Sequence, residues 1–527
     1  MISRRVLLGA ATLPLLGCQR QHEVAGGFVG VSHERGHLVR AARSGLLTQA
    51  PAITRRVHTL IAGGGVAGLA AARALRQRGM DDFALVEMED LAGGNSRSGQ
   101  VSGIACPLGA HYLPLPGEAA REVQDLLEEL GLRRRVAGRW QYDERHLCHS
   151  PQERLYFNGE WQEGLLPLQG TGPGTLAQYR HFAQRVAGLQ RTARFSQPAF
   201  RAPFTAGHAA LDAVPFAAWL AQEGLDDPQL HWYLDYCCRD DYGAGLATVS
   251  AWAGLHYFAS RHGFAAPGDA DAGRDAVLTW PEGNGWLTQR LAAPLGQRLH
   301  TGCTVLRVAE SRHGVEVDAF NHDAQAVQRW QAAQCVVALP VTVAARVVEN
   351  PPLVLRAAAA RTRHAPWLVA NIHLRAPLHD RPGAPPSWDN VLYGSAGLGY
   401  VDARHQALDP RPGPTVLTWY RALGDAPDGR AQLLQRPWAG WRDELLSELS
   451  VPHPDLRDQV TRIDIARHGH AMAIPLPGLM GQIQRGGAWA SGRVASPGGR
   501  LRFAHGDWAG YSVFEEAFTR GHLAAAA

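Results

Sequence analysis

Gly63, Gly65 and Gly68 form a GxGxxG triplet whose neighbours leave few folds open to this chain. The triplet directly follows the β-branched and apolar run Val57–Ala62 and opens the alanine- and leucine-rich stretch Leu69–Gln77. A second short apolar run, Phe83–Glu87, ends on a carboxylate 24 positions after Gly63. Strand, glycine turn, helix and strand in that order make a β-α-β unit. The glycines let the backbone approach a pyrophosphate, and the N–H groups at the helix start, around Val66 and Ala67, meet its charge with the positive end of the helix dipole. Ala72 supplies the small residue that lets helix and strand pack closely, and Glu87 stands where a carboxylate accepts both hydroxyls of a ribose. This unit specifies a dinucleotide and does not separate NAD from FAD.

The rest of the chain must be built around that unit. With 527 residues, 46% of them apolar and 19% charged, it can bury a large core and should form more than one lobe. A formal charge of +4 without a long basic run gives no electrostatic footprint for nucleic acid, which is excluded as a partner. No lysine occurs, so all 52 basic residues are arginine and no mechanism can use a lysine amine. The seven cysteines show neither a CxxC pair nor zinc-type spacing with histidine, so no metal site is expected. Cys237 and Cys238 read as two buried thiols, the alternative being a vicinal disulfide.

Ser3-Arg4-Arg5-Val6-Leu7-Leu8 resembles the twin-arginine export motif, and the apolar run to Gly17 is too short to span a bilayer. Leu15-Leu16-Gly17-Cys18 resembles a bacterial lipobox. The expectation is an exported, periplasmic protein tethered to the membrane by a lipid on Cys18, an ordinary secreted protein being the alternative.

Residues 19–56 show no sustained period and read as a tether and surface arm. Residues 57–134 begin the nucleotide lobe. From 135 to 275 come aromatic-rich, largely helical segments of a second lobe, among them Phe216–Glu223 and Thr248–Ser260. Residues 276–345 return to the first lobe, with a helix at Gly285–Ala292, strands at Thr304–Val308 and Val315–Ala319 and the apolar run Cys335–Leu339. Residues 346–465 return to the second lobe, with sheet at Trp367–Leu374 and Val416–Tyr420 and a helix at Arg430–Leu449, and 466–527 complete the first. Ser512 and Glu515 give an S-x-x-E capping box before a helix at Phe514–Ala525.

Five further segments decide the cofactor by resemblance. Leu91-Ala92-Gly93-Gly94-Asn95-Ser96-Arg97 looks like the second glycine pair of the flavin amine oxidase and phytoene desaturase superfamily. Gly109-Ala110-His111-Tyr112 is similar to its segment beside the flavin ring, and Trp280-Pro281-Glu282-Gly283-Asn284-Gly285 to its proline-glycine turn. Val305 sits where that family contacts adenine through the backbone, ahead of a returning strand at Val336–Pro340. Phe503-Ala504-His505-Gly506-Asp507-Trp508 resembles its last flavin motif, whose acidic residue binds the ribityl chain. The resemblance implies an α/β fold, a Rossmann-type FAD-binding lobe with a discontinuous α+β substrate lobe. It implies FAD held by Gly63, Gly65, Val66, Ala67, Gly68, Glu87, Gly93, Gly94, Asn95, Ser96, Arg97, Gly109, Ala110, Val305, Gly506 and Asp507. The chain departs from the family at Asn95, where an arginine is usual, at the inserted His505, and in lacking the lysine that many members place near flavin N5.

The chemistry implied is hydride transfer from a substrate carbon to flavin, with protein groups orienting the donor. An amine, with a polyamine as one class, leads as substrate, and oxygen or a membrane carrier would take the electrons. His111, Tyr112, Trp508 and Tyr511 are the candidate catalytic residues, as ring-facing or pocket-lining groups. The run Tyr233–Tyr242, dense in carboxylates and aromatics, reads as an amphipathic helix end with solvated charges. Two other readings stand beside the first: a desaturase or isomerase of a lipid-like substrate, and a flavin-bearing lipoprotein that binds a partner.

Overall fold

The computed structural model describes residues 23–41, 45, 50–268, 276–407, 411–485 and 491–526. The segment expected to direct export, with Cys18, lies outside them. The described chain opens with β1 (Ala25–Phe28) and α1 (His33–Ala41), followed by the glycine unit: β2 (Ile53–Ala62), α2 (Val66–Gln77) and β3 (Phe83–Val86). β2 and β3 pair in parallel, and Leu60, Ile61 and Ala62 are wholly buried because helices and strands cover both faces of this sheet. Leu299–His300 extends the sheet beyond β3, and Ala326–Val337 pairs in parallel with the other side of β2. Beyond it, Cys303–Glu310 and Val315–Asn321 form an antiparallel meander, and Leu501–Phe503 returns from the C-terminus to lie beside Cys335–Val337. The fold is α/β, with a Rossmann-type lobe assembled from three separate parts of the chain.

The second lobe is built on another eight-stranded sheet with β1 at one edge and Glu160–Glu163 at the other. Its centre is His364–Leu374, which pairs antiparallel with Thr415–Ala422 on one side and Val460–Ala473 on the other. Helices between residues 173 and 259 pack their aromatic faces on it.

Within the segment read as a tether and surface arm, β1 pairs with Arg462–Ile465 in the second lobe, while α1 lies on the first. Three local expectations are corrected. The second lobe's sheet runs to Ala473, past the boundary placed at 465, because Val460–Ala473 is one continuous strand. The helix expected over Arg430–Leu449 is two, Gly429–Gln435 and Trp438–Leu449, since Pro437 has no N–H to continue the first. Phe514–Ala525 is a helix, but no side chain caps it. Ser512 Oγ instead accepts from Ala473 N at 3.0 Å, and Glu515 is buried.

Candidate active site

The two glycine turns face each other. Gly93 N donates to Gly64 O at 2.7 Å, and Gly65 and Gly93 form an isolated parallel bridge. No side chain caps the start of α2, so the N–H groups of Val66 and Ala67 keep the anion-binding character of a bare helix N-terminus. Gly68 is obligatory, because a Cβ there would lie 1.9 Å from Gly63 O. Glu87 is buried at the end of β3, where its Oε2 accepts from Gly64 N at 2.7 Å and its Oε1 from Glu89 N at 2.9 Å. Burial raises its pKa, and those two N–H groups and Arg97 counter the rise.

The family-like segment at 93–97 is fixed from below. Arg97 Nε donates to Gly94 O at 3.0 Å, and its guanidinium lies 3.6 Å from Glu89. Ser96 O accepts from Thr288 Oγ1 at 2.8 Å, and Asn95 Nδ2 donates to Ala471 O in the other lobe. Asn95 O accepts from Ala110 N, and a Cβ on Gly109 would come within 2.0 Å of that same oxygen. Asn95 and Gly109 are thus a matched pair. The cradle suits a dinucleotide diphosphate: two glycine turns, an uncapped helix and one buried guanidinium. Val305 stands beside a bulge in Cys303–Glu310, between Val305 and Arg307.

At the far end, Asp507 is buried in a short turn, Gly506–Ala509. Its Oδ2 accepts from Val341 N at 3.0 Å and from His364 Nε2 at 2.9 Å, and His505 Nδ1 lies 3.2 Å from Oδ1. Burial would raise its pKa, but the imidazoles of His505 and His364 hold it well below the usual carboxylate range. His505, which interrupts the family pattern, stands at the head of this turn with its imidazole against Asp507. Gly506 shares the turn.

Between the lobes lies a cavity of about 260 Å³. His111 and Tyr112 line it, as the sequence reading expected. His111 stacks on Tyr420 with ring centroids 4.4 Å apart and lies 5.5 Å from Trp388. Burial lowers its pKa to about 3, so its imidazole is neutral. The opposite wall holds carboxylates. Tyr112 OH donates to Asp240 Oδ2 at 3.3 Å, and Asp389 and Glu153 stand on the same wall. Burial, with Asp241 beside it, pushes the Asp240 pKa up to about 7, and burial together with Asp240 raises Asp389 well above its usual value. Arg261 is committed to Asp241, at 3.0 and 3.1 Å. Among the described residues neither Asp240 nor Asp389 has an ion-pair partner.

The run Tyr233–Tyr242 therefore does not end in solvent. It is the tail of the helix Pro228–Tyr242, which turns Tyr233, Tyr236, Cys237 and Asp240 into the cavity. Cys237 and Cys238 are free buried thiols. Trp508 and Tyr511 do not line the cavity: Trp508 is buried against Phe503, and Tyr511 OH donates to Glu516 Oε1 at 2.9 Å. Asp389, Trp388 and Tyr420 were missed in the sequence. Strand alternation does mark Tyr420, which faces opposite to Trp419, but a lone aspartate in Asp389–Leu392 carries no periodic signal.

Residues 66–527 match the model of the family described as flavin containing amine oxidoreductase. An L-amino acid dehydrogenase of Synechocystis sp. is 26% identical over 341 residues, 60% of this chain and 64% of that protein. The match thus spans a little under two thirds of that relative. Among solved structures, a putrescine oxidase bound to putrescine superposes with a TM-score of 0.66 at 18% identity, covering 90% of this chain and 99% of that one. Cyclohexylamine oxidase from Brevibacterium oxydans IH-35A superposes with a TM-score of 0.63 at 19% identity, covering 89% and 98%. At such identities the superpositions speak for the fold, and the family match carries the assignment. The chain belongs to the flavin containing amine oxidoreductase family, and its cofactor is FAD.

Proposed function

We propose that this chain is an FAD-dependent oxidoreductase that oxidises an amine bearing a second cationic group, a polyamine being the class that suits it. The observation that carries this reading is the pair Asp240 and Asp389, set in a cavity that also presents Tyr112, Trp388 and Tyr420 and whose arginine, Arg261, is taken up by Asp241. Two half-buried carboxylates with raised pKa values are stabilised in their charged form when something positive meets them. A distal ammonium supplies that charge. Tyr112 holds Asp240 in place from the His111 side, and the neutral His111 ring adds no competing cation.

When bound, FAD supplies the hydride acceptor. The residues that would hold it are those of the two glycine turns, Glu87, Arg97, Gly109, Ala110 and Asp507. The chain's own part is to bind and orient. Apolar surroundings near Tyr420, Trp388 and His111 favour the uncharged form of the nitrogen that reacts, while the carboxylate wall keeps the other nitrogen charged. The polar wall argues against a lipid-like substrate.

The electrons pass to a membrane carrier in preference to oxygen. Support comes from the absence of lysine and from the dehydrogenase among the relatives. Residues 1–18 support export by the twin-arginine route and a lipid tether at Cys18, which would hold the enzyme beside such a carrier.

The test is anaerobic bleaching of the flavin by diamines, monoamines of equal length, amino acids and unsaturated fatty acids, followed by air and then a quinone. Bleaching by diamines at the lowest concentration, with recovery faster on quinone than on air, is expected. Bleaching by amino acids alone would overturn the assignment of a substrate with a second cationic group, and bleaching by fatty acids alone would overturn the amine assignment.

A further inference from the structure

Residues 23–41 lie ahead of the family match, which begins at residue 66. They nevertheless touch three of the segments that hold FAD. Gly30 passes Leu108, the residue before Gly109, so closely that a Cβ there would lie 2.9 Å from Leu108 Cδ1. Ser32 N donates to Glu89 Oε1 at 3.1 Å. Arg35 Nη1 donates to Met88 O at 3.1 Å and to Asp90 Oδ1 at 2.6 Å, which pins α1 over the three residues that follow Glu87. Arg35 O also accepts from Thr304 Oγ1 at 3.5 Å, beside Val305, and Leu38 packs with Leu306, Phe320 and Val327.

The other end of the segment is fixed to the opposite lobe. β1 pairs in parallel with Arg462–Ile465, Val29 N donates to Ile465 O at 2.9 Å, and the Arg467 guanidinium lies 3.6 Å over the Phe28 ring. Gly26 lies so close to its partner strand that a Cβ would sit 1.8 Å from Ile463 O and 2.9 Å from the Trp438 ring.

We infer that residues 23–41 form a strap that ties the two lobes together along the adenosine side of the FAD site and so sets the rate at which the cofactor leaves. The segments that would hold FAD meet the second lobe where Asn95 donates to Ala471 O and Gly109 O accepts from Tyr420 OH, so release would require the lobes to part there or the edge at Met88–Asp90 to lift. The strap opposes both movements, with Arg35 as its clasp on the nucleotide lobe and β1 as its anchor on the substrate lobe. Arg35 is a positioning residue, since it acts through the backbone beside Glu87.

The test uses the full chain loaded with FAD. Arg35→Ala opens the clasp and Gly26→Ala lifts the anchor, and neither position touches the substrate cavity. Release of FAD is followed by the rise in free-flavin fluorescence after dilution into an apoflavoprotein trap, with circular dichroism to show that each variant is folded. Arg35→Met, which keeps the side-chain stem, replaces the alanine variant if that one does not fold. Loss of two hydrogen bonds from a charged group predicts release about tenfold faster in the clasp variant. Gly26→Ala should accelerate release as well, although it lies in the other lobe. Unchanged release in the clasp variant overturns the proposal, and so does acceleration in it with none in Gly26→Ala, which would reduce the effect to a local contact. The flavin content of the unaltered chain, measured first, separates failure of the cofactor assignment from failure of the strap.

Discussion

Asp240→Asn tests the proposed substrate site most directly. Asp240 accepts a hydrogen bond from Tyr112 OH, has no ion-pair partner among the described residues, and has a pKa of about 7 against an ordinary 3.8. An ammonium seated on it would make a charge-assisted hydrogen bond worth about 1.5–3 kcal/mol, so neutralising the carboxylate should raise KM about 10- to 150-fold. If the reacting carbon is positioned by the aromatic wall instead, kcat at saturation should stay within about threefold of its original value. The effect should be large for a diamine and small for a monoamine of equal length. In the unaltered enzyme kcat/KM should climb with pH through about 7 as Asp240 ionises, and the variant should lack that limb. Stability gives a second signature with its own sign. The folded pKa lies above the unfolded one, so the folded state holds the proton more tightly, and stability falls as pH rises from about 4 to 7. A rise of about three pKa units corresponds to roughly 4 kcal/mol. The variant, free of that cost, should melt higher than the original above pH 7 and converge with it near pH 4. Steady-state kinetics on the two amines and thermal melts at both pH values make the check. A KM within twofold of the original together with a retained acid limb would refute the reasoning.

Three other outcomes follow from the same geometry. His111→Phe keeps a ring on Tyr420 and removes a group that burial already holds neutral, so the pH profile between about 5 and 9 should not change, whereas His111→Ala should raise KM by opening the aromatic wall. Gly68→Ala places a Cβ 1.9 Å from the Gly63 carbonyl, which neither turn nor helix can yield; purified protein should lack flavin absorbance or melt far lower, by an equivalent of about 3 kcal/mol or more. His364→Leu removes one of the two imidazoles that hold Asp507 anionic, and FAD affinity measured by fluorescence titration should fall about tenfold or more.

The nucleotide lobe was legible because its chemistry is local. Gly63 to Gly68 and Glu87 fall within one β-α-β unit, where chain direction and strand spacing place every group, and β2, α2 and β3 appear where the apolar runs ended. The Gly285–Ala292 helix was equally readable, and the Phe514–Ala525 helix is present although the capping box that pointed to it is not formed. What the sequence could not decide was which surface would be covered by a distant segment. The carboxylates of Tyr233–Tyr242 look like a solvated helix end until the strand bearing Asp389, about 150 residues later, comes to share one cavity with Asp240. Ser512 has the spacing of a cap and serves Ala473 instead, because the long second-lobe strand reaches it first. Trp508 and Tyr511 were placed by nearness in sequence to Asp507, but the turn at Gly506–Ala509 points them into the core. The segment 23–41 lacks any period of its own, since β1 is only four residues long and gains its strand character from the partner at Arg462–Ile465. Sequence alone determined the cofactor fold, whose hydrogen bonds and dipoles are set by neighbours along the chain. The cavity and the strap were decided by tertiary structure, because burial, and with it the charge state of Asp240, depends on residues that only folding brings together.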